Sequence, residues 1–339
     1  MIKVGIVGIT GFAGLELLKI LLKHRFIQVE YISSRSENGK NLTDIYPQFS
    51  NIFDTKIEEI DTEKIKSLDV VFLALPHTIS MEIAKNLYGS VRIIDLSADF
   101  RLSSVDVYEK WYNKKHTAAD LLKKAVYGLP ELNKEKIAKS NLIANPGCYA
   151  TSIILPLSPI LDYIDKKSII ADSASGVSGA GRGVKSNLQF CEVNENFKAY
   201  SVAKHRHTPE VEEVLSSISD GVKITFSPHL LPLQRGILST VYAKLNKSIE
   251  KDEVFDICKR FYKNEFFVRI KKELPSLNSV RGSNFCDIGI EIDEENNRLI
   301  MVSAIDNLIK GASGQAVQNM NIMFNLNEEE GLELLSYYP

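Results

Sequence analysis

The sequence predicts an α/β chain in two parts: a doubly wound parallel sheet, then an α+β region built on a large mixed sheet. Three observations carry that expectation. Short β-branched runs alternate with helical patterns through the first half of the chain. A glycine-rich turn joins the first of these runs to the first helical pattern. Beyond residue 148, long strand-like runs follow one another with few helical patterns between them.

In chain order, "IKVGIVG" (2–8) is apolar and β-branched, and "GLELLKILLKH" (14–24) spaces its apolar residues as a helix does. "VEYISS" (29–34), "DVVFLAL" (69–75), "VRIIDLS" (91–97) and "NLIANP" (141–146) are further strands, with a helical pattern at "SMEIAKNLY" (80–88). Strands separated by helices imply parallel pairing, because each helix carries the chain back to the same end of the sheet before the next strand. The unbroken apolar character of 69–75 suits a sheet covered on both faces. The second half carries a glycine-rich segment, "SASGVSGAGRGVKS" (173–186), and the runs "KITFSPHLLPL", "GILSTVYAKL", "CDIGIEID" and "RLIMVSAID". The segment "NLIKGASGQAVQNMNIMFNL" (307–326) reads as a loop followed by a helix.

With 339 residues the chain exceeds one compact core, since domains usually hold about 100–200 residues. A formal net charge of -2 gives no reason to expect nucleic acid or an anionic membrane as partner. No apolar stretch approaches the roughly 20 residues that span a bilayer. The N-terminus begins directly as a strand, without the charged and apolar regions of a secretory signal, so a cytoplasmic location is expected. The cysteines at 148, 191, 258 and 286 form no CxxC pair and lie far apart, which fits neither a zinc module nor a disulfide framework. No metal is expected. A large sheet with apolar faces seeks a partner, and a homodimer or homotetramer follows.

"GITGFAG" places Gly8, Gly11 and Gly14 between a strand and a helix. Glycines there allow a tight turn, close approach of a pyrophosphate to the backbone, and close packing of the helix. The helix N-terminus adds N–H groups and partial positive charge for an anion. Gly8, Thr10, Gly11, Phe12, Ala13 and Gly14 are therefore candidates for dinucleotide binding. About 20 residues past the last glycine, an NAD-preferring fold places an acidic residue on the ribose 2′-hydroxyl. Here that position reads "ISSRS"; Ser33, Ser34 and Arg35 offer hydroxyls and a guanidinium that suit a 2′-phosphate. NADP(H) is the expected cofactor.

In "NPGCYATS" (145–152), Cys148 follows a Pro-Gly turn and opens a helical pattern. Packing, metal ligation, a disulfide and nucleophilic chemistry are all open to a cysteine. A thiol at a helix N-terminus meets a dipole that favours thiolate, whereas a structural cysteine belongs inside an apolar run. Cys191, Cys258 and Cys286 lack that setting and are expected to be half-buried. "KHRHTPE" (204–210) supplies His205 and His207, which point to one side of an extended chain. Thr208 is the expected N-cap of the helix that follows, with Pro209 in its first turn. His207, fixed by that helix start, is assigned as acid/base, and His205 as the group that orients substrate. Arg182 and Arg235 stand beside glycines and are candidates to grip phosphate or carboxylate.

Taken together, GxTGxAG, "NPGCYAT", "SGVSGAGR", "HRHTPE", "LLPLQRGI" and "DNLIKGASGQAVQNMN" resemble the N-acetyl-γ-glutamyl-phosphate reductase family, from residue 8 to residue 321. The resemblance implies a Rossmann-type domain with an α+β substrate and dimerisation domain, and reduction of an acyl phosphate by NADPH through a cysteine thioester. Cys148 matches the nucleophile, and the histidine motif contains the general acid/base. It further implies that Ser178, Gly179, Asn307, Gly311 and Gln315 lie along the cofactor, with residues 311–315 on its nicotinamide side. The last segment returns to the first domain, so the expected division is 1–147, 148–306 and 307–339. Aspartate-semialdehyde dehydrogenase and an aminoadipyl-phosphate reductase share this chemistry. A non-catalytic NADP-binding regulator would need neither Cys148 nor the histidines.

Overall fold

A computed structural model describes residues 1–337, which form two compact units. The first comprises Met1–Pro146 and Ser313–Leu332; the second comprises Gly147–Ala312 and the residues from Glu333 on. The expected return at residue 307 therefore takes place at 313. Residues 306 and 307 stay with the second unit because Gly282 N–H donates to Asp306 Oδ2 and Gly236 N–H to Asn307 Oδ1, 2.8 and 2.7 Å.

The first unit is a six-stranded parallel sheet: β1 (Ile2–Val7), β2 (Ile27–Ser33), β3 (Val70–Leu73), β4 (Arg92–Asp95), β5 (Val126–Tyr127) and β6 (Leu142–Ala144). Their order is β2-β1-β3-β4-β6-β5. The chain leaves β1 toward β2 and then crosses back to β3, which puts the topological switch at the C-terminal end of β1, where the glycine loop stands. β3 is buried throughout, as its unbroken apolar run requires.

Helix Gly314–Met323 is buried along its whole length and packs on helices Phe12–Leu21 and Pro130–Ala138. Its polar residues hold neighbouring loops. Asn319 Nδ2 donates to Gly128 O (2.8 Å) and Asn145 Oδ1 (3.1 Å), and Asn321 Oδ1 meets His24 Nε2 at 2.9 Å. Buried amides need such partners, since a desolvated polar group left alone costs about 1–3 kcal/mol.

The second unit is a seven-stranded mixed sheet. Its strands are β7 (Ile169–Gly176), β8 (Lys198–Ala199), β9 (Ile224–Leu231), β10 (Ile237–Lys244), β11 (Val268–Ile270), β12 (Cys286–Asp293) and β13 (Arg298–Ile305). The order is β11-β12-β13-β10-β7-β9-β8, parallel at β7/β9 and β11/β12 and antiparallel elsewhere. Helices Cys148–Leu157, Thr208–Ile218 and Lys251–Phe261 pack on the sheet. Alternate residues of β7, β9 and β10 are buried, as a sheet covered on one face demands.

Ser173, Ser239 and Ser303 occupy paired positions on β7, β10 and β13. Ser239 Oγ donates to Ser173 Oγ and contacts Ser152 Oγ, each at 2.7 Å, while Ser303 Oγ donates to Ser152 O at 2.5 Å. Small side chains let helix Cys148–Leu157 come close to the sheet, and their hydroxyls are satisfied by one another and by the helix. The first residue of that helix is the candidate nucleophile.

Candidate active site

Gly8 and Gly14 are glycines for internal reasons. Gly8 has φ +97°, and a Cβ there would lie 2.3 Å from Ala74 O; a Cβ at Gly14 would lie 2.4 Å from Gly8 O. Gly11 is different. It is the N-cap of helix Phe12–Leu21, and a Cβ on it would meet only Gly8 O at 3.5 Å and Ala74 O at 3.9 Å. The fold itself would accept alanine at 11, so the bare backbone there suits close approach by a ligand, beside a helix start that favours an anion.

Around this loop, Thr10 Oγ1 and Ser34 Oγ are 2.9 Å apart, Ala13 O accepts from Ser313 Oγ at 2.8 Å, and Phe12 is exposed. Ser33 departs from expectation. Its side chain is fully buried, and its contribution is a carbonyl that accepts the N–H groups of Gly8 and Ile9 at 2.9 and 3.1 Å. The end of β2 is covered on both faces, which encloses its hydroxyl, while Ser34 lies against the loop and Arg35 is exposed. These residues fit a dinucleotide with a 2′-phosphate.

The loop after β3 is held firmly. Thr78 has φ +74°, unusual for a β-branched residue. Asp99 over-determines it: Oδ1 accepts Thr78 N–H and the Tyr108 hydroxyl, both at 2.7 Å, and Oδ2 accepts Met81 N–H at 3.1 Å. Nearby Asp95 is fully buried, and burial, with the charge of Asp99 second, pushes its carboxyl up to about 7.

In the second unit, Cys148 is the first residue of its helix, capped by Gly147. Gly147 N–H donates to Glu210 Oε1 at 2.7 Å, and Glu210 is almost wholly buried. Gly311 closes the other side: a Cβ on it would stand 2.7 Å from Cys148 Cβ. The thiol residue itself is half-buried. Cys258 and Cys286 are buried, burial pushing the Cys258 thiol up to about 12, while Cys191 is exposed rather than half-buried.

The histidines arrive by a turn, not an extended strand, with ring centroids 4.8 Å apart. His207, not Thr208, is the N-cap residue, because its carbonyl already accepts Val211 N–H at 3.0 Å and Thr208 makes no capping bond. The Tyr149 ring lies edge-on to both, 5.5 Å from His205 and 6.0 Å from His207. Tyr149, Tyr200 and Phe226 surround His205. Burial in that cage, and secondarily the Arg206 charge, lowers His205 to about 4, so it is neutral at physiological pH. His205 Nδ1 faces His207 N–H at 3.2 Å as its acceptor, which puts the ring proton on Nε2.

Of the arginines, Arg182 lies exposed on the glycine-rich segment, whereas Arg235 is mostly buried with Nε 3.4 Å from Asp306 Oδ2. Ser178 Oγ and Asn307 Nδ2 are 2.9 Å apart, and Gly179 is exposed beside them. Asn307 thus engages protein at both ends of its amide. Gln315, expected along the cofactor, is fully buried in the first unit with Nε2 donating to Gly128 O at 3.1 Å, because every face of its helix is covered. Glu210, Tyr149, Tyr200 and Asp306 touch the candidate residues or the backbone beside them and were missed by pattern reasoning. The faint signal for Glu210 was its place one turn after His207, ordinarily read as an acidic residue complementing a helix dipole.

Among the described residues no group of three or more His, Cys, Asp or Glu could hold a metal ion. None of their helices is long and apolar enough to cross a membrane. Residues 3–140 match the family model "Semialdehyde dehydrogenase, NAD binding domain", and residues 148–307 match "Semialdehyde dehydrogenase, dimerisation domain". N-acetyl-gamma-glutamyl-phosphate reductases of Caldicellulosiruptor bescii and of Thermoanaerobacter sp. strain X514 are 50% and 48% identical to the chain, each over 100% of both proteins. The fold is similar to that of aspartate semialdehyde dehydrogenase II from Vibrio cholerae (TM-score 0.71, 17% identity, 96% of this chain and 98% of that one). It is equally similar to the Candida albicans enzyme solved with NADP (TM-score 0.71, 16% identity, 96% and 98%). With full-length identity near one half to these relatives and both halves matched by the paired domain models, the chain belongs to the N-acetyl-gamma-glutamyl-phosphate reductases of the semialdehyde dehydrogenase family.

Proposed function

We propose that the chain reduces N-acetyl-γ-glutamyl phosphate to N-acetylglutamate 5-semialdehyde with NADPH, releasing phosphate through a thioester on Cys148. The observation that carries this is the setting of Cys148: a half-buried thiol at a helix start, braced by Glu210 below and Gly311 beside, in the unit that holds both histidines.

Cys148 attacks the acyl carbonyl as thiolate. The carbon–oxygen bond to phosphate breaks, and phosphate leaves with the electron pair, so one difficult reduction becomes two easier steps. NADPH, when bound along the glycine loop with Arg35 and Ser34 at its 2′-phosphate, supplies the hydride that reduces the thioester carbonyl. His207 lends its proton to the carbonyl oxygen as charge builds there, and takes it back when the carbon–sulfur bond breaks and the thiolate returns. His205, neutral and fixed as the Nε2–H tautomer, orients the substrate by donating a hydrogen bond. Arg235 grips an anionic group of the substrate; Arg182, on its exposed segment, is a second candidate for that contact. Ser178, Gly179 and Asn307 shape the neighbouring glycine-rich segment.

In the reverse direction the thioester needs an anionic oxygen nucleophile, so oxidation of N-acetylglutamate semialdehyde by NADP should require inorganic phosphate or arsenate. NADPH absorbance follows the reaction. Full-rate turnover without phosphate would remove the chain from the acyl-phosphate reductases. Aspartate and aminoadipate semialdehydes should show kcat/KM lower by about 10–100-fold, the scale on which a pocket resolves a methylene and its attached groups. A preference for either would replace the substrate named here.

Arg35→Ala should weaken NADP binding by about 10–100-fold, the worth of a charge-assisted contact, and leave NAD within about twofold. Equal loss for both cofactors would show that Arg35 does not contact the 2′-phosphate.

The same reading includes assembly through residues 148–307 as a homodimer or homotetramer, supported by the match of those residues to a dimerisation domain and by the sheet residues left exposed, Ile170 among them. It also includes a cytoplasmic setting, in keeping with four unbridged cysteines.

A further inference from the structure

Asp306 is a fully buried carboxylate just past the end of β13, and two of its sets of contacts lead to parts of the proposed chemistry. Oδ1 accepts Leu308 N–H at 2.8 Å and Ile309 N–H at 3.2 Å. The backbone carbonyl accepts Gly311 N–H at 2.9 Å. These bonds wind residues 306–311 into the turn that carries Gly311 against Cys148, at a separation that admits no side chain on residue 311. Oδ2 accepts Gly282 N–H at 2.8 Å and stands 3.4 Å from Arg235 Nε. The next residue, Asn307, ties down the backbone beside that arginine through Gly236 N–H at 2.7 Å.

A buried carboxylate left without countercharge is costly, so Asp306 and Arg235 constrain each other. The carboxylate is fixed by three backbone N–H groups, and it therefore acts as the anchor, with the longer and more flexible guanidinium as the oriented group.

We propose that Asp306 is a positioning residue for the reaction. One side chain sets both the Arg235 guanidinium for the substrate's anionic group and the turn that seats Cys148, and so fixes the distance between charge recognition and thiol attack. This rests on the acyl-phosphate reductase reading for its substrate, but the seating of Cys148 is independent of it.

Asp306→Asn keeps an oxygen for the turn and removes the charge facing Arg235. KM for the acyl phosphate should rise about tenfold or more while kcat stays within about threefold, the signature of lost uniform binding. In an Arg235→Gln background the same substitution should add less than about twofold, since both changes remove one interaction. An unchanged KM, a fall in kcat and melting temperature alone, or additive effects of the two changes would overturn the proposal. Should Asp306→Asn not fold, Arg235→Gln by itself, which leaves the turn intact, must raise KM to the same extent, and a normal KM overturns it. Asp306→Ala, which strips the turn of its side-chain acceptor, should change the iodoacetamide alkylation rate of Cys148 by more than about threefold, with Asp306→Asn near wild type. Equal rates in all three would overturn the seating role. The alkylation arm needs no substrate, so a wild-type chain inactive on the acyl phosphate would reject the function while leaving this geometry tested.

Discussion

Cys148→Ala should abolish turnover, a loss of roughly 10⁵-fold or more, as expected when a covalent nucleophile is removed from machinery that works as a unit. Binding of NADP should be largely retained, because the glycine loop, Ser34 and Arg35 proposed to hold the dinucleotide are left unchanged. Gly147, Glu210 and Gly311 fix the backbone around residue 148, so alanine there should leave the fold intact. Chemical labelling makes a second, independent check. Burial protects Cys258 and Cys286, and the Cys258 thiol is held high as well. The informative comparison is with Cys191, which is more exposed than Cys148. If accessibility governed, iodoacetamide would label Cys191 first; if the helix start and its surroundings favour thiolate, Cys148 reacts first at neutral pH. An active alanine variant, or labelling that follows exposure alone, would end the case for Cys148 as nucleophile.

His207→Asn should lower kcat by about 10²–10⁴-fold, the range for losing a general acid or base. His205→Asn should act mainly through KM. The division follows from the environments of the two rings. His205 sits among Tyr149, Tyr200 and Phe226, and desolvation there favours its neutral form down to about pH 4. A histidine lowered to about 4 carries no proton to give at pH 7, although it can still donate a hydrogen bond from Nε2. The pH dependence of kcat between about pH 5 and 9 should therefore be unchanged in His205→Asn. A profile altered by His205→Asn, with His207→Asn affecting only KM, would exchange the two roles.

Much of this site was legible before any fold was known, and the reason is that its parts are local. In the loop 8–14, Gly8 and Gly14 stand where backbone torsion or a neighbouring carbonyl excludes a side chain. Pro146-Gly147-Cys148 and Pro209 mark helix starts because proline and glycine act on their own φ and ψ. Strand and helix periodicity likewise gave a parallel sheet followed by a mixed one. Ser33 shows the limit, for strand periodicity did not say that the C-terminal end of β2 would be covered on both faces.

What only the tertiary structure decided are contacts between residues distant in the chain. Glu210 reaches Gly147 across 63 residues, Asp306 meets Arg235, and Gly311 lies against Cys148. The sequence carries each of these side chains plainly, but a carboxylate in a first helical turn looks the same whether it faces water or a buried N–H. The lowered basicity of His205 is of the same kind, since it arises from rings brought around it by a helix and two separate strand and turn segments. The sequence by itself determined the reacting groups and the local turns that present them. Burial, partner and protonation state depend on which elements pack together, and the packed sheet and helices of each unit settled those.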